Sequence, residues 1–368
     1  MIGAGVVGCA VALELARRDV NVVLLEAEPE PGLAASGTNS GILHTGFDSE
    51  PGALETKLIR ASAALRDEVL EGLAIPVLRC GAVMRAGPAS PDVAARAAQN
   101  GVHVQVGEGG VIEVPGESAT DPVAYTLALA AEAVRQGAEL RTRFRVAGLE
   151  PTGRGIVARS EDGGEGVSCR VVVNCAGLYA DAVARLAGDH SFEIFPRKGE
   201  FLVFDPPEGV PLERILLPVP SKRTKGVLVF PTLDRKLAAG PTAVDLEDKR
   251  DWSVRPEAID EITAKATSIY RPLEGRKPIA SYAGLRPAGR GVNYLIGPSA
   301  ACSALVNVAA IRSTGLTASL GIAAHVAGLV EALGVRMGPR RELLGGEPPP
   351  LREPWWRRTA EFRAARAA

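Results

Sequence analysis

A glycine-rich turn, a helical stretch and a buried strand follow one another within the first 26 residues. The turn, residues 3–8, opens a stretch over residues 9–18 that is rich in Ala, Leu and Glu. Residues 21–25 then form an apolar run with adjacent valines, which is typical of a strand buried on both faces of a parallel sheet. This order predicts the first unit of an α/β sheet.

Later segments repeat the contrast between helical and strand-like patterns. Apolar residues at helical spacing predict helices at residues 55–73, 120–137, 180–186, 254–270 and 317–333. The second of these has Thr120 or Asp121 as its N-cap and Gly137 at its end. Short apolar runs predict strands at residues 77–84, 171–174 and 306–310, whereas the Gly- and Ser-rich residues 29–52 predict a long functional loop.

Residues 195–250 differ from the rest of the chain. Alternating runs at residues 200–204, 226–231 and 236–240, separated by Pro and Gly, predict antiparallel strands. The order therefore predicts an α/β fold, α+β overall, in which a Rossmann-like domain is interleaved with a mainly antiparallel β domain. The predicted boundaries are residues 1–78, 120–194 and 284–340 for the Rossmann-like domain, 79–119 and 195–283 for the β domain, and 341–368 for a C-terminal tail.

Charge and cysteine content narrow the classes of function. The 42 Lys and Arg residues balance 43 Asp and Glu residues, so no basic field predicts nucleic-acid binding. Five cysteines without a Cys-x-x-Cys pair argue against a disulfide framework and against a clustered metal site, so no metal is predicted. Arg312 and His325 interrupt the apolar run near residues 309–330, and the start lacks a basic signal region. We therefore expect a cytoplasmic protein.

The turn itself carries a dinucleotide-binding pattern, Gly3-x-Gly5-x-x-Gly8. Glycines at these positions allow a tight turn and a close approach of a pyrophosphate to the helix N-terminus. Glu26 ends the following strand, where an acid accepts hydrogen bonds from ribose hydroxyls and disfavours a 2′-phosphate. The pattern predicts FAD or NAD rather than NADP; the alternative is a plain glycine-rich turn with a surface glutamate.

A polar loop follows that strand at once, in place of further helix and strand units. It contains Asn39-Ser40-Gly41-Ile42-Leu43-His44 and continues as Gly46-Phe47-Asp48-x-x-Pro51-Gly52. This loop resembles that of the FAD-dependent D-amino-acid-oxidase superfamily. Within it, the likeness is greatest to the glycerol-3-phosphate dehydrogenases and oxidases, with the L-2-hydroxyglutarate dehydrogenases and oxidases next. Further similar segments extend the likeness over nearly the whole chain: residues 174–181, 196–201, 218–226, 240–243, 283–287 and 313–319.

The resemblance implies FAD as cofactor and a hydride transfer to it from the secondary hydroxyl of a small anionic substrate. The first expectation is oxidation of sn-glycerol 3-phosphate to dihydroxyacetone phosphate, with oxygen or a quinone as the electron acceptor. One alternative is an L-2-hydroxyglutarate or other 2-hydroxyacid oxidase, since that group shares Asn-Ser-Gly and the histidine. Another is a non-catalytic FAD-binding protein. The Rossmann-like domain would then bind FAD and the β domain would bind the substrate.

Residue roles also follow from the resemblance. His44 matches the family's base, and the alternative is a loop histidine that only bonds backbone. Arg286 would clamp the substrate anion with its guanidinium, Lys225 would add charge, with Lys222 as a rival, and Ser313 would contact the substrate. The implied flavin-binding residues are Gly3, Gly5, Val6, Val7, Gly8, Glu26, Ala27, Ser36, Thr38, Asn39, Ser40, Val146, Ala176, Gly177, Gly315, Leu316 and Thr317.

The two ends of the chain carry separate predictions. Trp355 and Trp356 lie in an arginine-rich tail after Pro348–350, and this favours either a peripheral membrane contact or a short helix that docks on the body. Only Met1 and Ile2 precede Gly3, although the central strand of such a sheet needs about five residues. We therefore expect the natural protein to start upstream by roughly one strand. The tail also lacks the cysteine-rich domain that anaerobic relatives often append.

Overall fold

A parallel sheet lies at the centre of the dinucleotide-binding half in the computed structural model of the chain. Its segments are, in order, residues 139–141, 23–25, Ile2, 172–174 and 305–309. Residues 295–298 extend it as an antiparallel edge strand. The structure describes residues 1–153, 155–164, 166–218, 226–346, 350 and 353–367. Ile2 forms parallel bridges to Leu25 on one side and to Asn174 on the other, so the short N-terminal segment joins two pairs of strands into one sheet.

The helices are α1 Val6–Ala16, α2 Leu54–Gly72, α3 Ser90–Gln99, α4 Pro122–Arg135, α5 Ala180–Arg185, α6 Pro256–Ile269, α7 Gly315–Ala332 and α8 Trp355–Ala367. The strands of the first half of the chain are β1 Val23–Leu25, β2 Ile42–Leu43, β3 Val77–Leu78, β4 Ala82–Met84, β5 Gln105–Val106, β6 Ile112–Val114, β7 Ser118–Thr120, β8 Glu139–Arg141, β9 Val146–Thr152, β10 Gly155–Ser160, β11 Val167–Cys169 and β12 Val172–Asn174. The remaining strands are β13 Ile194–Phe204, β14 Ile215–Leu217, β15 Leu228–Pro231, β16 Leu237–Gly240, β17 Val244–Asp245, β18 Ala280–Gly289, β19 Leu295–Pro298 and β20 Leu305–Ala309.

Different layers cover the two faces of the parallel sheet. Apolar side chains of α1, α2, α4 and α7 pack with Leu24, Val173 and Val306 on one face. The antiparallel sheet β9–β10–β11 covers the other face, where Ile156 and Ala158 pack near Ile2 and Leu305. Both faces of each central strand are therefore buried, which explains why these strands are continuous apolar runs. The predicted α/β, Rossmann-like fold is confirmed.

A nine-stranded mixed sheet forms the second half of the molecule. Its order is β17–β13–β16–β15–β14–β4–β6–β5, with β18 also paired to β13. β13 and β18 are antiparallel over ten residue pairs, from Ile194–Gly289 to Val203–Ala280. α6 covers one face of this sheet through Ala258 and Ile262. Arg286 lies in this ladder, on the strand that contacts the dinucleotide-binding half at Thr38. The domain boundaries given above stay a prediction.

Several elements differ from the sequence-based expectation. The strand predicted at residues 77–84 is two strands in different sheets, because Gly81 adopts a φ of 65° between them. Of the two N-cap candidates for α4, the structure has Asp121, which was one of the predicted pair, since its Oδ1 accepts hydrogen bonds from N of Val123 and Ala124 at 2.8 and 2.9 Å. The meander β9–β11 was not predicted, because β9 and β11 each bury only one residue and so lack a clear alternation of apolar and polar side chains.

α7 is long and apolar enough to span a membrane by length and composition alone. However, 61% of it is buried inside the protein, and it packs closely against α1 and α2. Core helices that are covered on several sides have the same composition. The structure accordingly places α7 as a core helix of the dinucleotide-binding half.

The tail docks on the body of the protein, and the membrane-anchor hypothesis loses its basis. Trp355 and Trp356 are 3% and 5% exposed and belong to the core between the two halves. Trp356 Nε1 donates to Asp234 Oδ2 at 3.0 Å, and Arg363 donates to Glu28 Oε1 at 3.0 Å. The tryptophans are buried by packing, and Arg358, Arg363 and Arg366 in the described part of the tail pair with Glu30 and Glu28, so the tail docks as a helix on the body.

The N-terminal segment pairs with both neighbours but is short. Met1 N donates to Val23 O at 2.8 Å, and Ile2 N donates to Val173 O at 2.9 Å. Behind Met1, between β1 and β12, lies a cavity of about 820 Å³, lined by residues of both strands and by Leu15, Ile156 and Val330. Burial lowers the pKa of the Met1 amino group. This cavity, here called the slot, lies between the edges of β1 and β12 and is lined mostly by aliphatic side chains.

We expect this slot to accept added strand residues. Four residues, Val-Val-Val-Ile, placed before Met1 should raise the melting temperature by at least about 5 °C, because each buried β-branched side chain contributes about 1.5–3 kcal/mol. A Ser-Gly-Ser-Gly extension of the same length moves the terminal charge equally and serves as the control. Equal melting temperatures for the two proteins would contradict a strand-binding slot.

Trp355→Ala should destabilise the protein by about 3–5 kcal/mol, since it removes a buried aromatic side chain that packs edge-on against Tyr282. Urea unfolding measures this loss. Glu361→Ala, in the same helix but exposed, is the matched control and should change stability by less than about 0.5 kcal/mol. A Trp355→Ala protein as stable as the control would mean that the tail does not dock as described.

Candidate active site

The glycine turn is held by close contacts between backbone segments. A Cβ atom at Gly3 would lie 2.6 Å from the carbonyl oxygen of Cys175, and one at Gly8 would lie 1.9 Å from that of Gly3. Gly3 also has a φ of 96°. Gly5 is the N-cap of α1, so the first N–H groups of the helix point out of this turn. The geometry is that of an anion site at a helix N-terminus.

Glu26 and Ser36 lie beside this turn. Glu26 Oε2 accepts a hydrogen bond from Ala4 N at 2.7 Å, and its Oε1 accepts one from Glu28 N at 2.8 Å. Burial raises the pKa of Glu26, and these two N–H donors offset part of the rise. Ser36 Oγ accepts from Val6 N, in the first turn of α1, at 2.9 Å. Ala27 follows Glu26 and is half-buried.

The polar loop passes between the two halves of the molecule. Residues Ala35–Thr38 form a 3-10 helix, and Asn39 Oδ1 accepts from Gly41 N at 2.9 Å. A side chain at Gly284 of β18 would lie 2.8 Å from the carbonyl oxygen of Thr38, so strand and loop touch through their backbones. Ser40 Oγ is 3.4 Å from Ile42 N. The loop is therefore fixed against the strand that carries Arg286.

The start of α7 lies next to the start of α1. A Cβ at Gly315 would be 3.7 Å from Cγ2 of Val7, and Leu316 is buried. Thr317 Oγ1 lies 3.3 Å from the carbonyl oxygen of Ile42 and accepts a hydrogen bond from His44 N at 3.1 Å. The glycine turn, the polar loop and the N-terminus of α7 thus form one continuous surface.

Glu117, Arg66 and Thr317 hold His44 in place. The first two were not predicted from the sequence. The side chain of His44 is 25% exposed, and its Nδ1 lies 2.8 Å from Oε2 of Glu117. Arg66 Nη2 donates to the carbonyl oxygen of His44 at 2.8 Å. Thr317 holds the backbone N–H. Glu117 and Arg66 lie 73 and 22 residues away in sequence, so no local pattern connects them with the histidine.

Arg286 is anchored by carbonyl oxygens. Its Nε donates to Arg197 O at 3.1 Å, and its Nη2 donates to Lys198 O and Thr242 O at 3.0 and 2.7 Å. Burial, together with the charges of Arg197 and Arg312, lowers the pKa of Arg286 to about 10. The residue stays cationic at neutral pH. The two hydrogens of Nη1 form no hydrogen bond with other described residues, so the expected clamp reduces to a single nitrogen with two donors.

Further cations surround Arg286. Arg197 lies opposite it in the β13–β18 ladder and forms a salt bridge with Asp245, whose pKa it lowers. Arg312 is exposed and precedes Ser313, which is also exposed at the entry to α7. These arginines were not predicted as site residues. Lys225 and its rival Lys222 lie outside the described residues.

The remaining predicted flavin-binding residues lie around the central sheet. Val146 begins β9 and is paired with Ser160. Ala176 N donates to Asn174 Oδ1 at 3.2 Å, directly after β12, and Gly177 has a φ of 55°. Ala176 lies next to the glycine turn, since a Cβ at Gly3 would be 3.1 Å from its Cα. Among the described residues, no group of three His, Cys, Asp or Glu side chains could hold a metal ion.

Comparison with known proteins agrees with this geometry. A family model described as FAD dependent oxidoreductase matches residues 1–329. The chain belongs to this family. A glycerol 3-phosphate dehydrogenase of Caloramator mitchellensis is 30% identical over 349 residues, which span 89% of this chain and 72% of that protein. The mouse mitochondrial L-2-hydroxyglutarate dehydrogenase is 30% identical over 278 residues, 66% of this chain and 60% of that protein.

A solved structure supports the fold over almost the full length. The L-α-glycerophosphate oxidase of Mycoplasma pneumoniae, with FAD bound, superimposes with a TM-score of 0.87 at 23% identity and covers 95% of this chain and 98% of its own. The geometry of the glycine turn in this FAD dependent oxidoreductase also fits FAD. The turn leaves no room for a side chain at Gly3 or Gly8, so its backbone stays close to the N-terminus of α1. Glu26 lies beside it and can accept from ribose hydroxyls.

Arg286→Lys should raise the KM for an anionic hydroxy substrate by about 10- to 100-fold, because a lysine cannot keep three carbonyl contacts and still present two donors. kcat should change less than KM. Steady-state kinetics measure both. Arg290→Lys, just beyond the end of β18 and paired with Glu193 and Glu247 at the surface, is the control. An unchanged KM in the Arg286 variant would place the anion elsewhere.

Proposed function

We propose that this FAD dependent oxidoreductase oxidises the secondary hydroxyl of a small anionic substrate, foremost sn-glycerol 3-phosphate to dihydroxyacetone phosphate. The observation that carries the proposal is the combination of a partly exposed histidine, His44, on the cofactor loop with a half-buried cation, Arg286, on the strand that touches this loop. The relatives named glycerol 3-phosphate dehydrogenase and glycerophosphate oxidase support the choice of substrate.

Each residue has a distinct task in this proposal. The N-terminus of α1, with Gly3 and Gly8, binds the pyrophosphate of FAD, and Glu26 accepts from its ribose. FAD, when bound, supplies the acceptor for the substrate's hydride. Nε2 of His44 accepts the hydroxyl proton, so that the carbon–hydrogen bond can break toward the cofactor. The N-terminus of α7 at Gly315 provides N–H groups that stabilise negative charge.

The substrate's anionic group is held at the β13–β18 ladder. Arg286 donates through Nη1, and the exposed Arg312 and Ser313 stand at the entry to α7. Arg197 forms a salt bridge with Asp245, so it adds less positive potential at the anion site than its position next to Arg286 suggests. Phosphate and carboxylate both accept from a guanidinium, and L-2-hydroxyglutarate is the second candidate because of the relative that carries its name.

Electron acceptor and location are further parts of the proposal. The acceptor in this proposal is oxygen or a quinone, since one of the relatives is named an oxidase and another a dehydrogenase. The cytoplasmic location expected from the sequence is retained as a prediction. Contact with a membrane through the tail is not proposed, since the two tryptophans are buried.

Anaerobic titration of the FAD-loaded protein tests the function. Glycerol 3-phosphate, L-2-hydroxyglutarate and amino acids are added in turn, while the oxidised flavin band near about 450 nm is followed. Bleaching by glycerol 3-phosphate at low concentration is expected. Bleaching by L-2-hydroxyglutarate alone would make that compound the substrate in place of glycerol 3-phosphate. Bleaching by amino acids alone would contradict a hydroxy substrate. No bleaching would indicate a non-catalytic FAD-binding protein.

His44→Ala should keep FAD but slow flavin reduction by about 10²–10⁴-fold, the usual contribution of a positioned base. Stopped-flow absorbance under anaerobic conditions measures the rate. His103→Ala removes an exposed histidine far along the chain from the loop and is the control. If the His44 variant reduced its flavin at the wild-type rate, the histidine would be only a loop residue.

A further inference from the structure

Glu117 stands behind His44, on the side of Nδ1. It follows β6 in the turn before β7, and its side chain is 0% exposed. Its Oε2 is 2.8 Å from His44 Nδ1, while its Oε1 accepts hydrogen bonds from N and Oγ1 of Thr45 at 2.6 and 2.8 Å. A buried carboxylate needs donors that satisfy it, and this one has three within hydrogen-bond distance.

The neighbouring contacts fix the position of this carboxylate. A Cβ at Gly116 would lie 2.8 Å from Cγ2 of Thr45, so the turn packs tightly on the loop. Gly81 N donates to the carbonyl oxygen of Glu117 at 2.9 Å, which ties the turn to the segment before β4. The backbone of His44 is held separately by Thr317 and Arg66. Glu117 therefore acts on the imidazole ring and not merely on the path of the loop.

We propose that Glu117 is a positioning residue that holds His44 with its hydrogen on Nδ1, so that Nε2 keeps the lone pair that accepts the substrate's proton. An ionised carboxylate only accepts hydrogen bonds, and a neutral imidazole that donates from Nδ1 must accept at Nε2. When Nε2 takes up the proton, the resulting imidazolium lies beside a negative charge that stabilises it. The inference rests on the proposed function for the identity of the proton donor, but the tautomer itself does not depend on it.

Other ionisable groups face the same carboxylate. Arg66, from α2, and Cys80, from the segment before β4, both interact electrostatically with Glu117. Arg66 directs its hydrogen bonds to the carbonyl oxygens of Leu43 and His44. Since neither residue donates to the carboxylate of Glu117 among the contacts described, the imidazole is its principal ionisable partner.

The tautomer can be read without any turnover. Long-range proton–nitrogen NMR of ¹⁵N-histidine-labelled protein distinguishes the two forms of each of the four histidines, and a His44→Gln protein assigns the His44 signals. At alkaline pH, where imidazoles are neutral, we expect the pattern of a ring protonated at Nδ1. A ring protonated at Nε2 in the wild-type protein would overturn the proposal, whatever any variant does.

Glu117→Gln tests the consequence for the reaction. Thr45 N–H can only donate, so the amide oxygen should occupy the Oε1 position and the NH₂ group should face Nδ1. The imidazole hydrogen would then move to Nε2 and block the base. We expect the rate of flavin reduction to fall by roughly 10²-fold or more, with KM little changed, and the acid limb of its pH profile to move to lower pH.

Two comparisons separate the possible causes of such a loss. Glu113→Gln makes the same change in β6, where the carboxylate pairs with Arg214 at the surface, and should leave rate and pH profile unchanged. Glu117→Asp restores the charge and should recover part of the rate. A Glu117→Gln protein with bound FAD and wild-type kinetics would refute the positioning role. An Nδ1–H tautomer in a protein whose flavin no hydroxy anion reduces would refute only the proposed function.

Discussion

Backbone-to-backbone packing at the glycine turn is the constraint on which the rest of the structure depends. The turn approaches Cys175 so closely that no side chain fits at Gly3, and Ile2 is bridged to strands on both sides. This contact aligns the N-terminus of α1 with the ends of β1 and β12. α7 begins next to α1, with Gly315 close to Val7. The N-termini of the two helices therefore lie side by side on one surface. A cofactor with two phosphates and an electron-accepting ring suits such a surface.

The site arises where two sheets meet this surface. β18 touches the polar loop at Thr38 and places Arg286 nearby, while the β6–β7 turn reaches the same loop through Glu117. A histidine and a guanidinium are thus supplied by different parts of the chain and are held in place by hydrogen bonds. The tail contributes to the same rigidity, because α8 packs against the 3-10 helix at Ala35–Thr38 and ion-pairs with Glu28. Its tryptophans serve this packing.

Sequence could predict those features whose cause is local. The glycine turn, the cap at Asp121 and the buried central strands each follow from residues within one short segment, and the family resemblance added His44 and Arg286. Glu117 escaped prediction because 73 residues separate it from its partner. The carbonyl oxygens that anchor Arg286 likewise come from β13 and from Thr242, so no side-chain pattern reveals them. For Trp355 and Trp356 the sequence left a membrane contact and a docked helix open, because burial of an aromatic pair is decided by tertiary packing, in this case against Tyr282 and Asp234.

The proposed function depends on one step, the breaking of the carbon–hydrogen bond of a secondary alcohol at the flavin. Single-turnover flavin reduction with glycerol 3-phosphate carrying deuterium at C2 tests it most directly, at saturating substrate and without an acceptor. We expect the deuterated substrate to reduce the flavin several-fold more slowly than the protiated one. Equal rates with the two substrates would contradict it, as would a flavin that neither substrate reduces.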